Sequence, residues 1–346
     1  MIRAGIVGAT GYAGAEVVRI LSGHPEVKIK ALTSSQYVGM PFDAVYPSMT
    51  GFVNLTCTEY ILEEITETCD IVFVSLPHKL PMQIVPGLLG KGKRVIDLSA
   101  DFRFKNPAAY ESVYQEHSAK ELLQDAVYGL CEIYADSIRG STLIGNPGCY
   151  PTSALLPLIP LVREKLLDMT SIIVDSKSGV SGAGRSPSLK THSCETAESF
   201  KAYNVGRHRH APEMEEVLST ESGKPVRITF VPHLIPMSRG MFSTIYASTA
   251  EGVSSGAVRS CLTDYYRDKP FIRLRFDESQ PPDTLHVRGT NYCDIGFKPD
   301  PERGRIILLS AIDNLVKGAA GQAVQCMNLM MGFKETDGLI HVPYPI

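Results

Sequence analysis

The sequence is short of several things, and each shortage narrows what the chain can be. It has no surplus of charge. Its 34 lysines and arginines against 37 aspartates and glutamates give a formal net charge of −3. Nothing therefore draws it generally toward nucleic acid or an anionic membrane, although a local basic pocket for a small anion stays compatible with that balance. Its eight cysteines form no CxxC pair, so they read as mostly reduced thiols of a cytosolic protein rather than a disulfide framework. No stretch approaches the roughly 18 uninterrupted apolar residues of a membrane span. The opening MIRAGIVGATGYAG reads as a strand and a turn rather than a signal peptide, and the closing PYPI is not an anchor. Internal repeats and low-complexity segments are missing too. The expectation is a soluble cytoplasmic protein, without nucleic-acid or membrane partners, whose 346 residues suffice for two or three domains with real cores.

What is present begins with a nucleotide-binding pattern. Ile2–Val7 is a short apolar strand, followed by Gly8-Ala-Thr10-Gly11-Tyr12-Ala13-Gly14 and then Val17, Val18 and Leu21 at helical spacing. Ser22-Gly-His-Pro25 closes that helix, and Val27–Thr33 reads as a second strand. Glycines between a strand and a helix let a pyrophosphate approach unpaired amides at the positive end of the helix dipole. The spacing is GxxGxxG rather than GxGxxG, and a purely structural glycine turn is the competing reading. An NAD site usually offers a carboxylate at the end of the second strand. Thr33-Ser34-Ser35-Gln-Tyr37 has none, so hydroxyls of Ser34 and Ser35 favour the 2′-phosphate of NADP, unless these are ordinary loop serines.

Alternation continues with Asp70–Leu76, Arg94–Ser99 and Leu143–Gly145 as strands. His78 follows the first of these as a loop or packing residue, and Arg103 sits on a polar turn where a parallel sheet has its crevice. A guanidinium there suits a carboxylate or phosphate, or could hold the loop through Asp101. After residue 150 the texture shifts to strands at Ser171–Lys177, Val226–Val231, Met241–Ser248, Ile272–Phe276 and Arg305–Ala311, with Gly256–Tyr266 the clearest helix. That is an α+β pattern. Ala311–Met330 reads as one long helix with small residues on one side, docking back on the first domain with Asn314 at its start near the cofactor. Ser176–Ser193, rich in glycine and serine, reads as an anion-binding or substrate-covering loop.

A hydride cofactor with a thiol points to acyl or aldehyde oxidoreduction, because a thioester accepts hydride far more readily than a carboxylate does. Cys149 in Asn146-Pro-Gly-Cys149-Tyr-Pro falls on the first turn of a helix, where amides and dipole favour a thiolate. Pro157 and Pro160 are expected to kink or shorten that helix. An inert buried cysteine is, by residue pattern alone, the commoner outcome. His208-Arg-His210-Ala-Pro-Glu213 concentrates acid/base groups, with one of its two histidines expected to face the site. His192, Cys194, His208 and His210 match no standard ligand spacing, so no metal is expected.

Taken together, Gly8–Gly14, Ser99-Ala-Asp-Phe-Arg103, Gly145-Asn-Pro-Gly-Cys149-Tyr-Pro-Thr, Lys177-Ser-Gly-Val-Ser-Gly-Ala-Gly184, His208-Arg-His210-x-Pro-Glu213, Pro232-His-Leu-x-Pro-Met-x-Arg239-Gly and Asn314-Leu-x-Lys-Gly-Ala-Ala-Gly-Gln322 resemble, in order and over essentially the whole chain, the N-acetyl-gamma-glutamyl-phosphate reductase family. The resemblance implies a Rossmann-type NADP-binding domain, 1–148, completed by the C-terminal helix and tail 313–346, and an α+β catalytic and dimerisation domain, 149–312. It implies NADPH-dependent reduction of N-acetylglutamyl phosphate to the semialdehyde in arginine biosynthesis, by a homodimer or homotetramer, with inorganic phosphate released. Cys149 would be the nucleophile and His210 the catalytic histidine, with His208 as the fallback. Gly8, Thr10, Gly11, Tyr12, Ala13, Gly14, Ser34, Ser35, Gly179 and Asn314 would hold the cofactor. Arg103, Asn146, Ser178, Ser181, Arg185, His208, Glu213 and Arg239 would serve the substrate, with the amides of 179–184 forming a nest for phosphate. The same chemistry on a carrier-linked aminoadipyl phosphate, or an inactive NADP-sensing regulator, are the alternatives.

Overall fold

The computed structural model describes residues 1–343, so 344–346 of the expected domain-completing tail, within PYPI, lie outside the described residues. The chain forms two compact units. The first comprises Met1–Gly148 and Ala319–Ile340; the second comprises Cys149–Gly318 and, among the described residues, the stretch from His341.

The first unit is a Rossmann-type domain. Its strands are β1 (Ile2–Val7), β2 (Val27–Thr33), β3 (Ile71–Val74), β4 (Arg94–Asp97), β5 (Val127–Tyr128) and β6 (Leu143–Gly145). They form one parallel sheet in the order β2-β1-β3-β4-β6-β5. Every residue of Ile71–Val74 is buried, as expected of a parallel strand covered on both faces, which needs a continuous apolar run rather than alternation. The helix Gly321–Met331 belongs to this unit. Gln322 Nε2 donates to the Gly129 carbonyl at 2.7 Å, His24 Nε2 meets Asn328 Oδ1 at 2.9 Å, and Arg94 Nη1 donates to the Met330 carbonyl at 2.8 Å.

The second unit is α+β. Its strands are β7 (Ile173–Ser178), β8 (Lys201–Ala202), β9 (Thr229–Leu234), β10 (Met241–Ser248), β11 (Ile272–Leu274), β12 (Cys293–Asp300) and β13 (Arg305–Ile312). They form a mixed sheet in the order β11-β12-β13-β10-β7-β9-β8. Helix Cys149–Arg163 packs on β10 and β13, with helices His210–Ser222 and Ser255–Tyr266 against it.

Three expectations change. Helix Cys149–Arg163 runs on through Pro157 and Pro160. Pro160 has no N–H for the Leu156 carbonyl four residues back, and the Tyr266 hydroxyl donates to that carbonyl instead. Next, Ala311 and Ile312 are strand residues, paired with Phe242 and Met241, and the chain then turns before the helix. Asp313 accounts for the break: its Oδ1 accepts the amides of Leu315 and Val316 at 2.8 and 3.1 Å, as a helix cap does. Residues 313–318 therefore stay with the second unit, and the return begins at Ala319 rather than at 313. Finally, the strand expected at Val226–Val231 is Thr229–Leu234, registered along β7.

Candidate active site

In the first unit the glycine turn follows β1 directly. Gly8 has a left-handed φ of 83°, and a Cβ there would lie 2.3 Å from the Ser75 carbonyl oxygen, beyond β3. A Cβ on Gly14 would lie 2.3 Å from the Gly8 oxygen. These two glycines let turn, helix and sheet close on one another. Gly11 is the N-cap of helix Tyr12–Ser22 and has no side-chain cap, and first-turn amides are not used within a helix. Tyr12 and Ala13 lie on that turn. This cradle fits a dinucleotide pyrophosphate.

Beside it, Thr10 Oγ1 and Ser34 Oγ meet at 2.8 Å, and Ser34 Oγ also accepts the amides of Gln36 and Tyr37 at 3.3 and 3.2 Å. Ser34 thus shapes the turn, whereas Ser35 is exposed. No carboxylate stands between Thr33 and Tyr37.

At the carboxyl end of β4 a buried polar network holds the loop. Asp97 accepts the Ser99 amide at 2.9 Å and its hydroxyl at 2.7 Å. Asp101 accepts the amides of Lys79 and Met82 and the Tyr110 hydroxyl, holding Lys79 at a left-handed φ of 82°. Burial, with the Asp101 carboxylate adding to it, pushes Asp97 up to about 7. Arg103, 8% exposed, donates through Nε to the Asn146 carbonyl at 2.6 Å and through Nη2 to the Leu98 carbonyl at 2.9 Å. Of the two uses expected of it, a substrate contact and a loop brace, these bonds are a loop brace made to backbone carbonyls. His78 accepts the Ala100 amide at 2.9 Å, a loop role. Asn146, 1% exposed, donates to the Ala319 carbonyl at 3.1 Å, while its Oδ1 is buried with no hydrogen-bond partner among the described residues.

In the second unit Cys149 is the first residue of its helix and is partly exposed. By contrast Cys57, Cys69, Cys131, Cys293 and Cys326 are buried. Burial raises the thiols of Cys57 and Cys69, and burial with Glu164 and Asp264 pushes Cys261 up to about 11. Tyr150, next in the chain, anchors an aromatic cluster. Its ring lies 5.4 Å from that of His208, 5.8 Å from that of His210 and 5.3 Å from that of Phe230, all edge-on. Its hydroxyl donates to the His233 carbonyl at 3.2 Å and meets the Tyr203 hydroxyl at 3.0 Å. Burial raises the phenols of both tyrosines, Tyr203 to about 12.

The two motif histidines part company here. His210 opens helix His210–Ser222. His208 precedes it, and its Nδ1 accepts the His210 amide at 3.1 Å. Burial and the neighbouring Arg209 push His208 down to about 4, which favours the neutral imidazole that accepts the His210 amide. Glu213 is buried on the first turn of the same helix, where a carboxylate complements the dipole.

The expected amide nest after β7 does not form. The Gly179, Val180 and Ser181 amides donate to the carbonyls of Gly240, Met237 and Ser238 at 2.9, 2.9 and 3.0 Å, and those of Gly182 and Gly184 to Gly179 and Ser181. The Ser178 hydroxyl donates to the Gly179 carbonyl at 3.0 Å. Arg239, expected on substrate, pairs with buried Asp313 at 3.1 Å. Asn314, expected on the cofactor, accepts the Gly240 amide at 2.7 Å and donates to Ser181 Oγ at 2.9 Å. Arg185 is half-buried on the same loop. Sequence reading missed Asp313, although an Asp just before a helical pattern is a cap signal, and missed the aromatic cluster of Tyr150, Tyr203 and Phe230, although Tyr150 lies inside the cysteine motif. Among the described residues no group of three or more His, Cys, Asp or Glu is arranged to hold a metal ion, and no helix is long and apolar enough to cross a membrane.

A glycine-cradle Rossmann unit together with a separate α+β unit that opens on a cysteine defines a semialdehyde-dehydrogenase-type protein. Family models for the semialdehyde dehydrogenase NAD binding domain and dimerisation domain match residues 3–141 and 149–314. Solved relatives share the fold: aspartate semialdehyde dehydrogenase II from Vibrio cholerae, TM-score 0.72 at 19% identity, over 96% of this chain and 98% of that one. The Candida albicans enzyme with NADP gives 0.71 at 17%, again over 96% and 98%. Closer in sequence are the N-acetyl-gamma-glutamyl-phosphate reductases of Desulforapulum autotrophicum, 56% identical over 98% of both chains, and of Desulfotalea psychrophila, 51% identical over 99% of both. The chain belongs to the N-acetyl-gamma-glutamyl-phosphate reductase family, and its first unit is an NAD(P)-binding domain.

Proposed function

We propose that this chain reduces N-acetyl-gamma-glutamyl phosphate to N-acetylglutamate semialdehyde with NADPH, releasing inorganic phosphate, as a step of arginine biosynthesis in the cytoplasm. The observation that carries the reading is the match of about half of all residues, end to end, to reductases of that name. The missing carboxylate after β2 and the exposed hydroxyl of Ser35 favour NADP over NAD. Gly8, Gly11 and Gly14, with the amides of Tyr12 and Ala13, would hold the pyrophosphate. A family model described as a dimerisation domain supports a homodimer or a higher homo-oligomer.

In this reading the Cys149 thiolate attacks the γ-carbonyl carbon, and the bond to the phosphate oxygen breaks, leaving a thioester and free phosphate. The helix start at Cys149 offers its first-turn amides to the oxyanion. NADPH, when bound, supplies the hydride that reduces this acyl group. His210 takes the thiol proton as Cys149 attacks and, as the carbon–sulfur bond breaks, returns it to the sulfur. His208, a neutral cap, holds the amide of His210. Arg239 and Asn314 act as braces within the second unit, and Arg103 as a brace of the loop after β4 in the first.

The test runs the reaction backwards, with N-acetylglutamate semialdehyde, phosphate and NADP, following NADPH absorbance. Phosphate-dependent NADPH formation is expected, lowered at least about 1,000-fold in Cys149→Ser. Activity retained in the serine variant would remove the thioester route. A response to a different semialdehyde only would remove the substrate assignment.

A further inference from the structure

The segment joining β13 to the last helix is built as a brace. Asp313 is fully buried. Besides capping Leu315 and Val316, its carboxylate accepts the Gly289 amide at 2.7 Å and pairs with Arg239. Asn314 ties the same turn to Gly240 and Ser181. Between this anchor and the helix at Gly321 the chain opens into a π-turn, Val316–Ala320, where the Gly318 amide reaches back five residues to the Asp313 carbonyl at 2.9 Å. Such turns are rare and concentrate at functional sites.

The wide turn sets Gly318 against Cys149. A Cβ on Gly318 would lie 2.8 Å from the Cβ of Cys149, 3.3 Å from its Cα and 3.4 Å from the Asp313 oxygen. Carbon atoms rest at about 3.5–4.0 Å, so an added methyl collides with the root of the cysteine rather than with a side-chain tip that could swing away. Gly318 has no left-handed φ. Glycine is needed here for space, not for backbone freedom.

We propose that Gly318 is a positioning residue for the nucleophile: its bare Cα, presented by the π-turn that Asp313 anchors, seats the base of Cys149 and so fixes where the thiol points. The inference rests on the reading of Cys149 as the nucleophile. Arg239 and Asn314 then serve the reaction indirectly, by holding Asp313 and its turn, and the reason for glycine within Lys317-Gly-Ala-Ala becomes steric.

The experiment compares Gly318→Ala with the unaltered enzyme. A displacement of the order of 1 Å is worth about 100-fold in rate, so kcat is expected to fall about 10- to 100-fold while KM for NADP stays within about threefold. Iodoacetamide alkylation of Cys149 at pH 7, without substrate and read by peptide mass spectrometry, is expected to slow about fivefold or more, as the thiol leaves the helix terminus. Unchanged alkylation overturns the proposal, whatever kcat does, because the glycine would then act elsewhere. If Gly318→Ala does not fold, Asp313→Asn carries the test: it keeps the side-chain shape, loses the pair with Arg239 and sets an amide nitrogen where the Gly289 amide needs an acceptor, and slower alkylation of Cys149 supports the proposal while an unchanged rate overturns it. The alkylation readout needs no turnover, so activity surviving in Cys149→Ser would sink the nucleophile reading separately.

Discussion

Protonating His208 should destabilise the second unit, and the size of the effect follows from its surroundings. The Nδ1 that accepts the His210 amide must keep its lone pair, and burial with Arg209 nearby lowers the imidazole to about 4, from an ordinary value near 6.5. Between those two values the unfolded chain binds a proton that the folded one does not. The stabilisation is therefore complete above about pH 6.5 and is lost as pH falls toward 4. At pH 5 the ratio of proton binding in the two states is about 30, or about 2 kcal/mol. Asp97, raised to about 7, works in the opposite sense: its contribution is present below about 3.8 and disappears as pH rises through 7. It is common to all variants of His208 and cancels in their comparison. The assay is urea unfolding at pH 7.5 and 5.0 for the unaltered chain, His208→Asn and His208→Phe. The asparagine keeps a capping acceptor, whereas the phenylalanine keeps a ring and gives up a cap of about 1 kcal/mol at both pH values. The unaltered chain is expected to lose about 2 kcal/mol more than His208→Asn between the two conditions. Equal losses, or a His208 ring proton titrating near its ordinary value by NMR, would refute the neutral-cap reading.

Other substitutions test the remaining assignments. Ser35→Glu, placing a carboxylate where the proposed reading puts the 2′-phosphate of NADP, should raise KM for NADP at least about tenfold and leave KM for NAD unchanged or lower, read in the reverse assay. Tyr266→Phe removes the donor to the Leu156 carbonyl; an orphaned buried carbonyl costs about 2 kcal/mol, so calorimetry should show Tm lower by about 4–8 °C. Arg103→Lys loses the planar fork that reaches the carbonyls of Asn146 and Leu98, and should cost about 2 kcal/mol in urea unfolding while KM for phosphate stays within about twofold. A tenfold rise in that KM with unaltered stability would return Arg103 to the substrate.

How far the sequence discloses the fold depends on whether an element's reason lies in its own residues. β6 and β10 are legible to the residue because Leu143–Gly145 and Met241–Ser248 carry their own apolar pattern. The glycine turn is legible because Gly8 and Gly14 answer contacts within a few residues or at the next strand. β12 is not legible: CDIGFKPD has a glycine, a proline and charges, and becomes a strand through residue-by-residue pairing with β13. Helix His210–Ser222 is hidden for a different reason, since its first turn reads as a cluster of reactive groups before it reads as a helix start. The Leu156 carbonyl that Pro160 cannot bond is answered by a tyrosine about a hundred residues away, which no local reading of Pro160 contains.

The candidate site divides along the same line. Cys149, His210 and the glycine cradle are recognisable by type, because thiol, imidazole and bare backbone each have a chemistry that few residues supply. Arg103, Arg239, Asn314 and Ser181 are recognisable only as polar, and polar side chains in a motif have two uses. In the structure Arg103 and Asn314 reach backbone groups, Ser181 accepts from Asn314, and Arg239 pairs with a buried carboxylate. A buried donor left unmatched costs more than a matched one gains, so a loop that must present a cysteine or a pyrophosphate cradle at a fixed place needs such partners before any ligand arrives. Motif density around a reacting group thus measures how much of the protein is required to hold it still.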